Sequence, residues 1–385
     1  MYIGKSPASA VLTSSDVTDG IITKAKLDSS IDAFNYKNII INGDMQIAQR
    51  ATSSSGKSTA GYYACDRFQF GLAGTQGTWT FSQDTDVPTG QGFAKSFKMD
   101  CTTADASPAS SDAIRIAQII EGQNLQHLKK GTSSAKSLTL SFWVKSVLTG
   151  TYIAELYEIN NTRQISKSYT VDSGSTWEYK TITFAGDTTG ALTSNNGASL
   201  YVNFFVGAGT DYTSGTLSTS WGAVTNANRA VGQVNLANST SNNFWITGIQ
   251  LEVGDTASDF DFLPWDVNLN RCLRYFQKTY DYATAPATST NQQILEISTT
   301  SEGGNNAIFS LPLKVPLRTT PTLTFYKTDG TAGTWTYGRS GASGDASMSA
   351  YAGRYGQNHV ICYGGVGAGW IACNLAGHYI VDAEL

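Results

Sequence analysis

Four groups of residues invite a chemical reading. Gly56-Lys57-Ser58-Thr59 looks like the end of a phosphate-binding P-loop. Such a loop needs a glycine five residues earlier, where this chain has Ala51, and a helix behind it to aim N–H groups at phosphate. Gly365 to Trp370, "GVGAGW", has Trp370 where a dinucleotide fingerprint wants its last glycine, and no βαβ unit surrounds it. The three histidines, His127, His359 and His378, have no metal-ligand spacing, and no GxSxG elbow exists. Asp255, Asp259 and Asp261 form an acidic run. Paired carboxylates cleave glycosides when about 5–9 Å apart across a cleft, but a solvated turn is the plainer reading.

Aromatic residues carry more. Trp335, Tyr337, Tyr351, Tyr355, Tyr363 and Trp370 fall near expected loops of the last hundred residues. Aromatic faces bury the C–H faces of sugars, while Asn, Asp or Arg side chains bond the hydroxyls. Asp345, Arg354 and Asn358 are placed for the second role. Taken singly, each ring reads as core. Taken together, Trp335, Tyr337, Tyr351, Arg354, Tyr355, Asn358 and Trp370 are the expected glycan-binding set. The competing surface is the loops of the preceding region, whose main aromatics are Tyr212 and Trp221.

What must position these residues is mostly strand. Period-2 alternation bounded by Gly, Asn, Asp and Ser recurs from residue 38 to about 263. "SLTLSFWVKS" puts Leu138, Leu140, Phe142 and Val144 on one face. "SLYVNFFVG" does the same with Leu200, Val202, Phe204 and Val206, and "FWITGIQLEV" with Trp245, Ile249, Leu251 and Val253. "NIIINGDMQI" reads as the opening strand, and "TSSSGKSTAG" as a polar loop. Seven or more strands with no long helix imply an all-β, two-sheet sandwich over 38–264. A smaller β-sandwich tip is expected over 279–385, with a hairpin turn at "TDG" and flexible connections at "SGASGDAS" and "GGVGAG".

Between them, Pro264 ends the ladder and Asp266 can cap a helix. Leu269, Cys272, Leu273 and Phe276 then fall at i, i+3, i+4 and i+7 of a linking helix over 265–278. Its stripe must pack either on the next domain or on symmetry mates. Residues 1–37 are too polar to fold alone; "TSSD" at Thr13–Asp16 reads as a capping box for one helical turn.

Charged residues are 15% of the 385, and the net charge is −4. With no basic stripe, nucleic-acid binding through phosphates is not expected. No apolar run approaches a membrane span, and the start lacks the plan of a Sec signal peptide. Cys65, Cys101, Cys272, Cys362 and Cys373 contain no CxxC pair and read as reduced and mostly buried.

Several stretches resemble tail fibres, or receptor-binding proteins, of tailed bacteriophages, cyanobacterial phages among them. "TSSDVTDGIITKAKL" is similar to their attachment segment, and "NIIINGDMQIAQR" with "YYACDRF" to the start of their sandwich. "SLTLSFWVKS" with "WITGIQLEVGDTASDFDFLPWDVNLNRCLRYFQK" resembles its later strands and exit, and "LPLKVPLRTTPTL" with "GHYIVDAEL" the terminal tip. The resemblance implies a homotrimer in the virion, attached to a tail or baseplate protein through 1–37. Leu269, Cys272, Leu273 and Phe276 would lie at the three-fold axis, and the tip would face a host cell-surface polysaccharide. It implies an adhesin rather than an enzyme; a tailspike depolymerase and a structural baseplate or collar protein are the other readings. The sandwich also resembles the galactose-binding jelly roll of carbohydrate-binding modules, which holds a structural calcium. Here Gln46, Thr247 and Gly248 stand where that metal's acidic ligands would be, so no metal or other cofactor is assigned.

Overall fold

A computed structural model describes residues 37–74, 76–299, 306–339, 342–365 and 373–385. The N-terminal segment, with its expected capping box and attachment role, lies outside the described residues save Lys37. Trp370 also lies outside them.

The chain is all-β. Its first thirteen described strands are β1 (Ser53–Lys57), β2 (Gly61–Tyr62), β3 (Gln69–Ala73), β4 (Thr78–Asp84), β5 (Ser96–Thr103), β6 (Ala113–Glu121), β7 (Leu138–Ser146), β8 (Gly150–Glu158), β9 (Arg163–Val171), β10 (Glu178–Phe184), β11 (Ala198–Ala208), β12 (Gly222–Ala223) and β13 (Asn243–Val253). They form two antiparallel sheets, one in the order β1-β4-β5-β13-β7-β10 and the other β12-β9-β8-β11-β6-β3-β2. The expected alternation holds in the two strands that face each other. Leu138, Leu140, Phe142 and Val144 of β7, and Leu200, Val202, Phe204 and Val206 of β11, are all buried. Phe142 meets Phe204 edge-on across the two sheets, centroids 5.0 Å apart.

Three expectations give way here. Gly56-Lys57 lies on β1, an edge strand paired with β4, rather than in a loop. Residues 38–50 are not a strand: Asn42 and Met45 have positive φ, which ends any ladder. Side chains replace the missing ladder bonds. Asn38 accepts from the backbone of Ile40 and Leu251 and donates to Ile249, and Gln118 exchanges two bonds with Ile41. This segment covers the part of β13 that β5, which pairs only with Asn243–Ile246, leaves open. Third, β13 contains a bulge between Thr247 and Gln250. Phe244, Ile246, Ile249 and Leu251 therefore share the core side, and Trp245 turns outward instead of joining Ile249.

The short α1 (Thr210–Thr213) lies in the long connection after β11. α2 (Trp265–Leu273) follows Pro264, which occupies the capping position expected of Asp266; Asp266 lies in the first turn, where its charge suits the helix dipole. The helix ends earlier than its apolar period suggests, because Phe276 opens a strand. The remaining strands are β14 (Phe276–Lys278), β15 (Leu295–Thr299), β16 (Asn306–Leu311), β17 (Thr322–Tyr326), β18 (Thr334–Arg339), β19 (Ala342–Tyr355), β20 (Val360–Gly365) and β21 (Cys373–Asp382). They make one curled sheet, β14-β21-β18-β19-β20-β16, with β15 and β17 also paired to the long β21. The turn at "TDG" is present, closed by Gly330 N–H to the Lys327 carbonyl. "SGASGDAS", expected to be a flexible connection, lies almost wholly within β19.

Asn38–Leu385 form one compact unit. Glu121 on β6 accepts both Arg274 nitrogens at 2.8 Å and the Tyr275 hydroxyl at 2.5 Å. Burial opposes the Glu121 carboxylate, but those hydrogen bonds outweigh it and hold its pKa below the ordinary value. Arg67 pairs with Glu384, and Arg50 with Asp382 at 2.9 Å. The stripe expected at a three-fold seam already has contacts within one chain. Cys272, Leu273 and Phe276 are buried within the single chain, and Leu269 packs with Cys272 against Ile41, Ile47 and Tyr275. Its neighbours come from both sides of the helix in sequence, Ile41 and Ile47 before it and Tyr275, Tyr282 and Leu385 after it.

Candidate functional site

The outward face of the six-stranded sheet carries a cleft of about 570 Å³. The alternation that sends Phe142 inward turns Ser141 and Trp143 of β7 outward. Tyr179 of β10, paired with Trp143, lies beside them. The two rings are 5.3 Å apart at 45°. One rim is the loop between β4 and β5, Gly90 to Phe93; the other is the segment after β13, with Asp259, Phe260 and Phe262. Phe93, Phe260 and Phe262 form a three-ring cluster with centroids 4.8 to 5.1 Å apart.

The bulge of β13 makes room for this cluster. Gly248 has φ of 61°, and a Cβ there would come within 2.6 Å of the Phe93 ring. Two buried polar side chains of β13 hold the second rim. Glu252 accepts from the Ser258 backbone and hydroxyl, and Gln250 accepts the Asp261 N–H and donates to the carbonyls of Ser258 and Asp259. The first rim is tied down by Thr247, whose hydroxyl donates to the Lys95 carbonyl at 2.7 Å.

Tyr179 is 45% exposed and Phe262 47%, unusual for rings of this size and adjacent in one cleft. Along β7 from Trp143, Lys145 pairs with Asp86 at 2.5 Å, and Asp86 also accepts the Trp177 indole N–H. Asp84 accepts the Trp245 indole N–H; burial opposes its charge, but that bond and two backbone N–H groups keep its pKa low. Apolar rings flank a floor holding Ser141, with Gln91 and Asp259 at the rim. Such a surface stacks a neutral ring and hydrogen-bonds its hydroxyls. Asp259 is the single carboxylate among the lining residues, so the acidic run does not present a pair to this cleft. Among the described residues no group of His, Cys, Asp and Glu is placed to hold a metal ion, and no helix is long and apolar enough to cross a membrane.

Of the expected tip set, Trp335, Tyr337 and Asn358 have described side chains. Trp335 is fully buried, stacked on Phe309, and donates to the His378 carbonyl at 2.7 Å. It is core, not a sugar platform. Tyr337 is half-buried on β18. Tyr351, Arg354 and Tyr355 fall on β19, with side chains outside the described residues; Asn358 is exposed in the turn before β20. Of the competing pair, Tyr212 packs against the cluster around Phe205, and Trp221 donates to the Ala185 carbonyl. Trp143 and Tyr179 lie on strands, outside the loops where the sequence set was placed. The alternation of "SLTLSFWVKS" and "WEYKTITF" was the signal that would have found them.

No protein-family model matches the chain, and no curated protein matches its sequence. Among solved structures, the enzymatically active domain of tailspike protein 4 of bacteriophage CBA120 is similar at 15% identity and a TM-score of 0.30. The match covers 57% of this chain and 22% of that one, so this chain spans about a fifth of that domain's length. The family 11 carbohydrate-binding module of a Clostridium thermocellum cellulosomal cellulase is similar at 14% identity and a TM-score of 0.24, over 52% of this chain and 96% of that one. A xylan-binding domain of Paenibacillus barcinonensis Xyn10C is similar at 11% identity and a TM-score of 0.24, over 55% and 100%.

Proposed function

We propose that this protein is a non-enzymatic adhesin that binds a glycan in the cleft of its six-stranded sheet. The observation that carries the reading is the pairing of Trp143 and Tyr179 opposite the Phe93–Phe260–Phe262 cluster, with Tyr179 and Phe262 left half exposed. Stacking would hold a sugar ring. Ser141, Gln91 and Asp259 would bond its hydroxyls. The sequence resemblance to phage tail fibres extends the proposal: a homotrimer attached to the tail through residues 1–37, recognising a bacterial surface polysaccharide during host adsorption. Three copies would raise avidity by effective concentration.

Titrating the full chain with host polysaccharide and with neutral oligosaccharides tests the binding role. Saturable binding that Trp143→Ala and Tyr179→Ala weaken supports it, and undiminished binding by both folded variants refutes the site. Release of new reducing ends would instead make the protein a depolymerase. Light scattering near three times 41.1 kDa supports the trimer, and a monomer refutes it.

A further inference from the structure

The cleft of the six-stranded sheet combines its rings with a one-sided pattern of charge. Five of its eleven lining residues are aromatic: Phe93, Trp143, Tyr179, Phe260 and Phe262. One is a carboxylate, Asp259, and none is Lys or Arg. The face of an aromatic ring carries partial negative charge. Rings and carboxylate together make a surface that attracts a cation and disfavours an anion.

The carboxylate is free to act on a ligand. Asp259 is exposed, and among the described residues no hydrogen bond or ion pair engages its side chain. Its backbone carbonyl accepts from the buried Gln250, which fixes its place on the rim. The cations nearest along the two floor strands are already neutralised. Lys145 pairs with Asp86 at 2.5 Å, and Lys180 with Glu178 at 2.6 Å and Asp172 at 3.2 Å. Lys95 follows the first rim in sequence but is not among the lining residues.

Such a lining discriminates between kinds of cation. A primary ammonium is strongly hydrated and needs acceptors for three N–H donors. The cleft offers one carboxylate and mostly carbon. A quaternary ammonium has no N–H to satisfy, and its methyl groups pack on ring faces. Tyr179 and Phe262, each nearly half exposed, present such faces to solvent.

Resting on the glycan reading of this cleft, we propose that it recognises a saccharide bearing a quaternary ammonium substituent, the methylated nitrogen held by the rings and Asp259. At about 570 Å³ the cleft has room for a sugar ring and for that group.

The test is calorimetric titration of the full chain with choline, its uncharged tert-butyl analogue and ethanolamine. Choline should bind at least about tenfold tighter than the analogue, and tighter than ethanolamine. Asp259→Asn, a change at an exposed side chain, should shrink that preference, and Tyr179→Ala should weaken choline binding. Equal affinities for choline and the analogue, binding of neither included, overturn the proposal. So does ethanolamine binding as tight as choline, or an undiminished preference in both folded variants. Equal affinities beside polysaccharide binding that Trp143→Ala weakens would remove the charged substituent and leave the glycan site standing. Polysaccharide binding that neither Trp143→Ala nor Tyr179→Ala diminishes would remove both.

Discussion

Glu252 receives Ser258 twice, from its backbone N–H at 2.8 Å and from its hydroxyl at 2.7 Å. This contact between the end of β13 and the segment beyond it sets where Phe260 and Phe262 stand in the cleft. Glu252→Ala should cost about 1–3 kcal/mol in urea unfolding, the range for orphaning buried polar partners. It should also weaken glycan binding without touching the ligand. A variant with full affinity would show that the rim is held by other contacts.

The two aromatic sets should respond oppositely. Trp143→Ala and Tyr179→Ala should each weaken glycan binding by about 1–2 kcal/mol, on the order of tenfold, with little loss of stability. Trp335→Ala should cost about 3–5 kcal/mol of stability, because it empties a core site beneath Phe309 and Phe325. Paired unfolding and binding titrations separate the two. Loss of binding on Trp335→Ala in a chain of native stability would return the site to the tip.

Lys278 is buried at the junction and donates to the carbonyls of Gln49, Tyr282 and Thr284 at 2.5 to 2.8 Å. Burial lowers its pKa from 10.5 to about 8. Between those values the folded chain holds fewer protons at this site than the unfolded chain, so this group's contribution to stability rises with pH from about 8 to about 10.5. The stability gap between wild type and Lys278→Met should widen over that window. The comparison also cancels the opposing titration of tyrosines such as Tyr275, raised to about 12 by burial. A constant gap would mean that Lys278 titrates alike in both states.

Thiol labelling should report the core. Cys65, Cys101, Cys272 and Cys362 are unpaired and buried. Burial raises all four pKa values, to about 11 for Cys101 and about 12 for Cys362, so little reactive thiolate forms. Native protein should react at no more than one cysteine, Cys373, and unfolded protein at all five. Rapid native labelling at two or more sites would contradict this packing.

The sequence by itself determined the all-β class, the inward faces of β7 and β11 and the turn at Asp329-Gly330. Each follows from a local rule: a two-residue period, or a residue that tolerates positive φ. Pro264, expected to end the ladder, lies eleven residues beyond the end of β13 at Val253. Only the tertiary structure decided which faces were covered. Trp335 reads like a loop aromatic, yet Phe309 and Phe325 enclose it. The stripe of α2 reads like an oligomer seam, yet Ile41 and Ile47, distant in sequence, already bury part of it together with the adjacent Tyr275. The cleft draws on four segments, around Phe93, Trp143, Tyr179 and Phe262, brought together by sheet order and by a bulge at Gly248. Periodicity tells a side chain which face of its own strand it occupies. Whether that face meets core, a neighbouring module or solvent depends on long-range pairing, which no short window of sequence contains.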